Sequence, residues 1–342
     1  MRDKTTNMRE EILEIPTAVE RLLSQGAQGT KALASEIRDK DPRYMISVAR
    51  GSSDHACTYL KYASELLLGL PMASVGPSVQ SIYGVSLKAH GAVCLSVSQS
   101  GQSPDIVSMT RSLRETGALT VAITNNPASR LAGVADATLP LHAGPELSVA
   151  ATKTFVTSLI AGLWLIAEIK EDTELRAAIH ALPAQLYAAT RCDWSEAAQA
   201  INGKSVFTLG RGPTSAISNE ASLKFKETCL VHAESYSSAE VLHGPVSIVE
   251  SGFPIIAFAA RDMAEKTLAD TADQLVEKGA KVFANSDLVK SARRLPHVKT
   301  GHPLTDPIAA AVSFYGMVEL LSRNRGIDPD TPRHLKKVTE TV

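Results

Sequence analysis

Ser47-Val48-Ala49-Arg50-Gly51 returns later in the chain as Thr208-Leu209-Gly210-Arg211-Gly212. Two more apolar runs return in the same way: 93–97 as 254–258, and 120–124 as 281–285. In all three pairs the offset is 161 residues, from 47 to 208, from 93 to 254 and from 120 to 281. A constant offset indicates one duplicated supersecondary unit, so residues present in only one copy point to the chemistry.

Short β-rich runs alternate with amphipathic helical segments inside each copy. In the first copy these runs are 44–49, 72–75, 92–97, 119–124 and 137–141. Strands of this length separated by helices are typical of a parallel sheet covered on both faces. We therefore predict an α/β fold with two tandem domains, each a three-layer α/β/α sandwich around a parallel five-stranded sheet.

The same patterns predict where the domains begin and end. We expect a helical lead-in at 1–40, a first domain at 41–171, a helical linker at 172–202, a second domain at 203–325 and a tail at 326–342. The longest apolar stretch, Leu159–Ile169, is too short to cross a bilayer of about 30 Å and predicts a buried helix.

Composition excludes several classes of function. The net charge of −1 gives no reason to expect a nucleic-acid partner, since phosphate backbones are held by clustered Lys and Arg. The N-terminus lacks the apolar segment of a secretory signal, which predicts a cytoplasmic protein. The four cysteines form no CxxC pair, and Cys94 and Cys229 lie in apolar patterns that favour buried, reduced thiols.

A polar loop, Ser98-Gln99-Ser100-Gly101-Gln102-Ser103, separates a predicted buried strand from a helix. Such a loop can direct backbone N–H groups and hydroxyls at an oxyanion, although a serine-rich helix cap is an alternative interpretation. Ser52, Ser53 and Thr152 occupy comparable strand-end or helix-start positions. The corresponding loop of the second copy, 259–262, has lost its hydroxyls, so we expect one phosphate site per chain. No P-loop lysine is present, which argues against a nucleoside triphosphate.

The second copy has its own distinctive helix. Glu220, Lys224 and Glu227 fall at i, i+4 and i+7 and therefore share one helix face. This pattern fits a solvated ion-pair stripe, or a carboxylate held beside a lysine as a base for moving a proton between adjacent carbons.

Two histidines and two glutamates follow that helix: His232, Glu234, Glu240 and His243. Their spacing does not match HExxH, so we predict no metal site. His243 precedes Gly244-Pro245, a turn that would hold an imidazole at a loop edge where it can exchange protons near neutral pH.

Together these segments resemble the paired sugar isomerase (SIS) domains of glucosamine-6-phosphate synthase, the glutamine–fructose-6-phosphate aminotransferase. The resemblance runs from about residue 8 to the end of the chain. Its most specific segments are 98–103, 220–227, 232–234, 240–245 and the tail 330–337.

The resemblance implies a role for each matching residue. Glu227 would carry a proton between C1 and C2 of the sugar, Lys224 would steady the enediol-type oxyanion, and Glu220 would orient Lys224. His243 would open the ring from a partner subunit of a homodimer, and Lys337 of the closing tail would contact the sugar. The residues implied to bind the sugar phosphate are Ser52, Ser53, Ser98, Gln99, Ser100, Ser103, Val149, Ala151, Thr152 and Arg333. No cofactor and no metal are implied.

Some positions depart from the family pattern. Arg50 and Ala151 replace a small residue and a serine beside the sugar, and Lys336 replaces a small residue in the tail. No glutaminase segment or nucleophilic cysteine lies near residue 1, so we expect the chain by itself not to take ammonia from glutamine.

The isomerase half alone looks like the stand-alone SIS-type amino-sugar-phosphate deaminases. This resemblance predicts conversion of glucosamine 6-phosphate to fructose 6-phosphate and ammonia. The alternatives are a galactosamine-6-phosphate deaminase/isomerase, a fructosamine-6-phosphate deglycase and a non-catalytic SIS sugar-phosphate sensor.

Overall fold

Strands and helices alternate along most of the chain. The structure, a computed structural model, describes residues 5–335 and residue 337. The elements up to residue 180 are α1 (Asn7–Lys40), β1 (Tyr44–Val48), α2 (Ser52–Leu68), β2 (Met72–Ser74), α3 (Ser78–Ser81), β3 (Ala92–Val97), α4 (Pro104–Glu115), β4 (Leu119–Thr124), α5 (Arg130–Val134), β5 (Ala137–Pro140), α6 (Lys153–Lys170) and α7 (Thr173–His180). The remaining elements are α8 (Leu182–Ala189), α9 (Ser195–Ala200), β6 (Ser205–Gly210), α10 (Thr214–Cys229), β7 (His232–Ser237), β8 (Pro254–Ala257), α11 (Glu265–Glu277), β9 (Lys281–Ala284), β10 (Arg293–Arg294) and α12 (Asp306–Asn324).

The chain divides into two compact units, each assembled from separate segments. Of the described residues, the first-sheet unit comprises Thr17–Glu146, Lys153–His180 and Lys337 of the tail. The second-sheet unit comprises residues 5–16, Leu147–Thr152 and Ala181–Leu335. The domain boundaries predicted from the sequence stay predictions.

The first sheet has the order β2-β1-β3-β4-β5, and all of its pairings are parallel. Every residue of β3 and β4 is buried, as expected for central strands covered on both faces. Ile46, Cys94 and Ala122, from three adjacent strands, belong to one apolar cluster that includes Met109 and Leu113 of α4.

The second sheet repeats this arrangement. Its order is β10-β9-β8-β6-β7, with all pairings parallel. Read from the opposite edge, β7-β6-β8-β9-β10 corresponds strand for strand to β2-β1-β3-β4-β5. The predicted duplication and the two-sheet α/β fold are therefore confirmed.

The strand order creates a switch point in the first sheet. From β1 the chain passes through α2 to β2 on one side, whereas β3 pairs with the other side of β1. Right-handed crossovers in opposite directions put the following helices on opposite faces, and α2 packs against α6 while α4 packs against α3 and α5. The crevice between the carboxyl ends of β1 and β3 is where such sheets bind ligands.

Several helix predictions are confirmed, whereas two edge strands of the second sheet, β7 and β10, were not located from the sequence. The lead-in is the single helix α1, and Leu159–Ile169 lies within the buried helix α6. The helical linker region contains three short helices, α7, α8 and α9. Sequence analysis assigned no strand to His232–Ser237, because this strand, β7, lies at a sheet edge and carries mostly polar residues. No helix among the described residues has both the length and the apolar character needed to cross a membrane.

The predicted cysteine environments are also confirmed. Cys94 and Cys229 are free and buried. Burial raises the pKa of the Cys94 thiol to about 12 and that of Cys229 to about 12, so both remain protonated at neutral pH.

Candidate functional site

The serine-rich loop follows β3 and leads into α4 at the switch point of the first sheet. Gly101 adopts a φ of +63°, and a Cβ there would lie 2.2 Å from Ser129 Oγ, so only glycine fits. Ser98 Oγ accepts a hydrogen bond from Gly101 N at 3.2 Å, and Ser100 Oγ accepts one from Gln102 N at 3.3 Å. The hydroxyls thus hold the loop in a shape that keeps it close to the start of α4.

Two helix N-termini flank this crevice. Ser52 begins α2 after the short connection 49–51 that follows β1, and Ser103 is the N-cap of α4 without a side-chain capping bond. β1 and β3 are neighbours in register, so Ser52, Ser53 and the 98–103 loop lie at the same edge of the sheet. Helix N-termini carry partial positive charge, so this edge suits an anion.

Arg50 lies at the end of β1, within the same crevice. Its Nε lies 2.5 Å from Asp105 Oδ2, and the Asp105 side chain, in the first turn of α4, is fully buried. A buried carboxylate at this helix terminus would repel an incoming phosphate, and the guanidinium offsets that charge. The unusual residue Arg50 is therefore ion-paired, a contact that sequence analysis did not anticipate.

The α10 cluster forms as the helical spacing predicted, but it is buried. Lys224 has a fully buried side chain, and its Nζ contacts Glu220 Oε1 at 3.3 Å and also Glu227 Oε2. Tyr315 Oη donates to Glu220 Oε1 at 3.2 Å. The Glu227 side chain is 20% exposed, whereas Glu220 is 1% exposed. The arrangement is thus not a solvated stripe, and Glu227 is the member of the cluster that reaches solvent.

Electrostatics favour the charged form of Lys224. Burial alone would lower the pKa of its ammonium group. The charges of Glu220 and Glu227, with their hydrogen bonds, outweigh that effect, so the pKa lies above the ordinary lysine value. The ammonium is therefore a permanent cation that fixes the Glu227 carboxylate.

Glu227 does not lie at the carboxyl edge of the second sheet. That edge holds Gly210–Thr214, where Thr214 Oγ1 accepts a hydrogen bond from Arg211 N at 2.8 Å. Glu227 lies near the opposite end of α10, 13 residues after Thr214 and therefore about 20 Å along the helix axis. The general rule that points to strand ends thus identifies the serine loop but not the carboxylate cluster.

His243 lies on the protein surface after the 3₁₀ turn Glu240–Leu242. Its backbone N donates to Glu240 O at 2.9 Å, and Gly244 has a φ of +134°. Glu234 points elsewhere, since its Oε2 accepts a hydrogen bond from Tyr236 Oη at 2.7 Å. Among the described residues no group of three His, Cys, Asp or Glu side chains is placed to hold a metal ion.

The predicted tail lysine forms an ion pair within the first-sheet unit. Lys337 Nζ donates to Glu146 Oε2 at 2.9 Å. The Glu146 side chain is fully buried, and it also accepts hydrogen bonds from Thr154 N at 3.1 Å and Thr154 Oγ1 at 2.7 Å. Sequence analysis missed Glu146, and its local signal is limited to the Gly144-Pro145 pair before it. Arg333 is exposed, and Lys336 lies outside the described residues.

A second network orders the segment 147–152, which carries the predicted ligands Val149, Ala151 and Thr152. Asp330 accepts hydrogen bonds from Asn7 N at 2.7 Å, Met8 N at 2.8 Å and Ser148 Oγ at 3.0 Å. The carboxylate therefore caps α1 from a distant part of the chain and also holds the segment in place. Glu11, which is 5% exposed, accepts the amide of Ser148 at 3.4 Å and that of Leu147.

Comparison with known protein families identifies the family of this chain. The SIS domain model matches residues 37–168 and 201–293. The chain belongs to the SIS domain family. The two matched segments contain the serine loop and the α10 cluster respectively, and the tandem arrangement of SIS domains is thereby confirmed.

The proteins that this SIS protein resembles have names that refer to sugar phosphates. It is 30% identical to the glutamine–fructose-6-phosphate aminotransferase (isomerizing) of Sulfurisphaera tokodaii over 98% of this chain and 56% of that protein. The chain thus spans about half the length of the curated relatives it matches. A crystal structure from Silicibacter pomeroyi, provisionally named a phosphosugar isomerase, is 62% identical, with a TM-score of 0.93 over 95% of this chain and 100% of that one. Glucosamine-6-phosphate deaminase from Thermotoga maritima shares the fold at 20% identity, with a TM-score of 0.78 over 98% of this chain and 100% of that one.

Lys224→Met tests the buried cluster of this SIS protein. The change leaves two carboxylates without their cation, so we expect the free energy of unfolding at pH 7 to fall by about 3–5 kcal/mol. Denaturant titration measures it, with Lys226→Met on the exposed side of the same helix as the matched control. Folding raises the pKa of Lys224. The stabilisation that its ion pairs give the folded state is therefore fully present below the pKa of about 10.4 that lysine has in the unfolded chain, and it is lost as the pH rises through the pKa of the folded state. Equal losses in the two variants would contradict the assigned charge balance.

Asp330→Asn tests the second network. An amide offers one acceptor oxygen instead of two, so either Asn7 N or the pair Met8 N and Ser148 Oγ loses its partner. We expect a loss of about 1 kcal/mol of stability and faster hydrogen exchange at the first amides of α1. Asp328→Asn is the control, since the bonds of the Asp328 carboxylate among residues 5–335 and 337 lie within the tail, to Asp330 N and Thr331 Oγ1. Unchanged exchange in Asp330→Asn would refute the capping role.

Proposed function

We propose that this protein is an amino-sugar-phosphate deaminase/isomerase that converts glucosamine 6-phosphate to fructose 6-phosphate and ammonia. The proposal is carried by Glu227, a partly exposed carboxylate fixed by a fully buried lysine in a member of the SIS family. A base that moves one proton between adjacent carbons must be held in place yet remain accessible to substrate. Glu227 meets both requirements.

The proposed phosphate site is the serine loop with the start of α2. Its support is the shape imposed by Gly101, the two helix N-termini and the compensation of Asp105 by Arg50. Hydroxyls and backbone N–H groups at such a site bind a phosphate without a lysine. In the proposal the 147–152 segment contributes Val149, Ala151 and Thr152 to sugar binding.

In the proposed reaction His243 assists ring opening, which produces the aldehyde at C1. Glu227 then removes the proton from C2, the electron pair forms the C1–C2 double bond, and the carbonyl oxygen at C1 takes up a proton from solvent, which gives an enolamine with a hydroxyl at C1. Glu227 returns its proton to C1 and the nitrogen electron pair forms an iminium at C2, so that C1 is reduced as C2 is oxidised. Water adds to the iminium carbon, the C–N bond breaks, ammonia leaves as ammonium, and fructose 6-phosphate remains. Lys224 holds the Glu227 carboxylate during both proton transfers, and Lys337 contacts the sugar.

The proposal includes a homodimer in which His243 serves the neighbouring subunit. His243 is exposed, and two apolar side chains of the same segment are also exposed, Leu242 at 36% and Ile248 at 56%. Apolar side chains clustered on a surface loop favour a protein interface there.

Glu227→Gln is the primary test. The protein is incubated with glucosamine 6-phosphate at neutral pH, and ammonia and fructose 6-phosphate are measured together. We expect equal amounts of both from the unaltered protein and a loss of at least about 100-fold in kcat for Glu227→Gln, because the amide cannot accept the C2 proton. Glu277→Gln, an exposed glutamate at the end of α11, is the matched control.

Other outcomes of the same assay lead to the alternatives. Ammonia from galactosamine 6-phosphate, or a free amine from a fructosamine 6-phosphate, but not from glucosamine 6-phosphate, would identify one of the other amino-sugar enzymes. Binding of sugar phosphates that Glu227→Gln leaves intact, with no turnover of any of them, would favour the sensor.

Complementation tests the shared site. Glu227→Gln and His243→Asn are each expected to be inactive as homodimers. If His243 acts across the interface, a co-expressed mixture contains heterodimers with one intact site, and it regains about a quarter of the unaltered turnover. A mixture as inactive as its components would place both residues in the same subunit's site.

A further inference from the structure

A cleft in the second-sheet unit lies apart from every residue assigned above. It has a volume of about 710 Å³ and is bounded by the start of α1, the end of α8 with the following turn, and α12. Small-molecule sites in proteins have volumes of about 300–1,000 Å³. The cleft is therefore large enough for a ligand of the size of a hexose phosphate.

Three arginines line this cleft. The guanidinium carbon of Arg191 lies 3.9 Å from the centre of the Tyr187 ring. Arg9 Nη1 lies 3.4 Å from the position that a Cβ at Gly316 would occupy, so the absence of a side chain on α12 makes room for it. Arg323 Nε donates to Glu319 Oε1 at 2.7 Å. Within residues 5–335 and 337, neither Arg9 nor Arg191 forms an ion pair with a carboxylate.

The cleft wall also contains a carboxylate oxygen that needs a donor. Glu319 is 1% exposed, and its Oε1 accepts hydrogen bonds from Thr6 Oγ1 at 2.9 Å and from Arg323. Its Oε2 is buried and has no hydrogen-bond donor among the described residues. A buried acceptor without a donor is costly, and a ligand hydroxyl or ammonium group would satisfy it.

The charge balance of the cleft favours an anion. Arg9, Arg191 and Arg323 face Glu319 and Asp193, and the Asp193 carboxylate accepts the amide of Ser195 at 2.9 Å. One positive charge thus remains, in a chain whose formal net charge is −1. Planar guanidinium groups match the oxygens of phosphates and carboxylates.

We propose that this cleft binds a small hydroxylated anion. Arg9 and Arg191 take its phosphate or carboxylate, and Glu319 Oε2 accepts a hydrogen bond from one of its hydroxyl groups. Since none of its lining residues belongs to the serine loop, the chain holds two anion sites where the sequence predicted one.

Equilibrium dialysis with ³²P-labelled glucitol 6-phosphate tests this site. This probe has hydroxyls and a phosphate but no carbonyl, so it cannot be isomerised. We expect the Arg9→Gln/Arg191→Gln variant to bind one equivalent per chain less than the unaltered protein. Arg293→Gln, an exposed arginine of the same unit paired with Glu196, should bind as much as the unaltered protein.

The difference between variants separates this inference from the proposed function. If the serine loop binds no sugar phosphate, the unaltered protein binds one equivalent and the double variant none. Equal binding by both overturns the proposal, provided that their circular dichroism and melting agree. If the double variant unfolds, the single Arg191→Gln variant, whose side chain is on the surface, gives the same comparison.

A competing titration with gluconate shows which anionic group the cleft recognises. Displacement of this equivalent of glucitol 6-phosphate shows that a carboxylate suffices, and no displacement shows that phosphate is required.

Discussion

A parallel sheet must be covered on both faces, and this constraint determines where the candidate binding loops of the first-sheet unit lie. The strands of such a sheet cannot be joined by tight turns, so a helix returns the chain after each strand. Right-handed crossovers leading in opposite directions from β1 and β3 put α2 and α4 on opposite faces. Both helices therefore begin at one crevice, and their N-termini bring Ser52 and the 98–103 loop to the same edge.

The second copy of the fold shows that architecture alone does not create this site. Its sheet has the same strand order, but the loop after β8 contains Ala259 and Ala260 where the first copy has Ser98 and Gln99. Arg261 in that loop is ion-paired with Asp306, at 3.0 Å. The two copies thus share the scaffold but differ in their polar groups: one carries a loop suited to an anion, and the other carries the carboxylate–lysine cluster of α10.

Buried charge is the second recurring constraint in this molecule. Lys224, Asp105 and Glu146 each have fully buried side chains, and each is ion-paired with an opposite charge. Removing a charge from water is costly unless a partner and hydrogen bonds compensate for it, so each pair fixes the segments that carry it. Arg50 and Asp105 connect the end of β1 to the start of α4, and Lys337 connects the tail to the start of α6.

Sequence reasoning succeeded where a local pattern carried the signal. The alternation of apolar runs predicted both sheets, and the fixed offset between copies predicted that one unit is duplicated. The i, i+4, i+7 spacing predicted that Glu220, Lys224 and Glu227 meet. It did not predict that Lys224 is fully buried, because burial of α10 depends on α12, whose Tyr315 is 95 residues away from Glu220 in the sequence. The polar edge strand β7 was missed because its residues lack the apolar alternation of a covered strand.

The sequence by itself determined the fold class, the duplication, the serine loop and the shared face of α10, because each depends on residues that are close together in the chain. Only the tertiary structure decided which polar and charged groups from distant parts of the chain meet. Asp330 meets Asn7 from 323 residues away, and Lys337 meets Glu146 from 191 residues away. Contacts over such separations leave no periodic pattern, since their partners are selected by how the packed helices and sheets bring distant segments together. The arginine-lined cleft has the same origin, because Arg9, Arg191 and Arg323 line it from the start of α1, the turn after α8 and α12, which are far apart in the sequence.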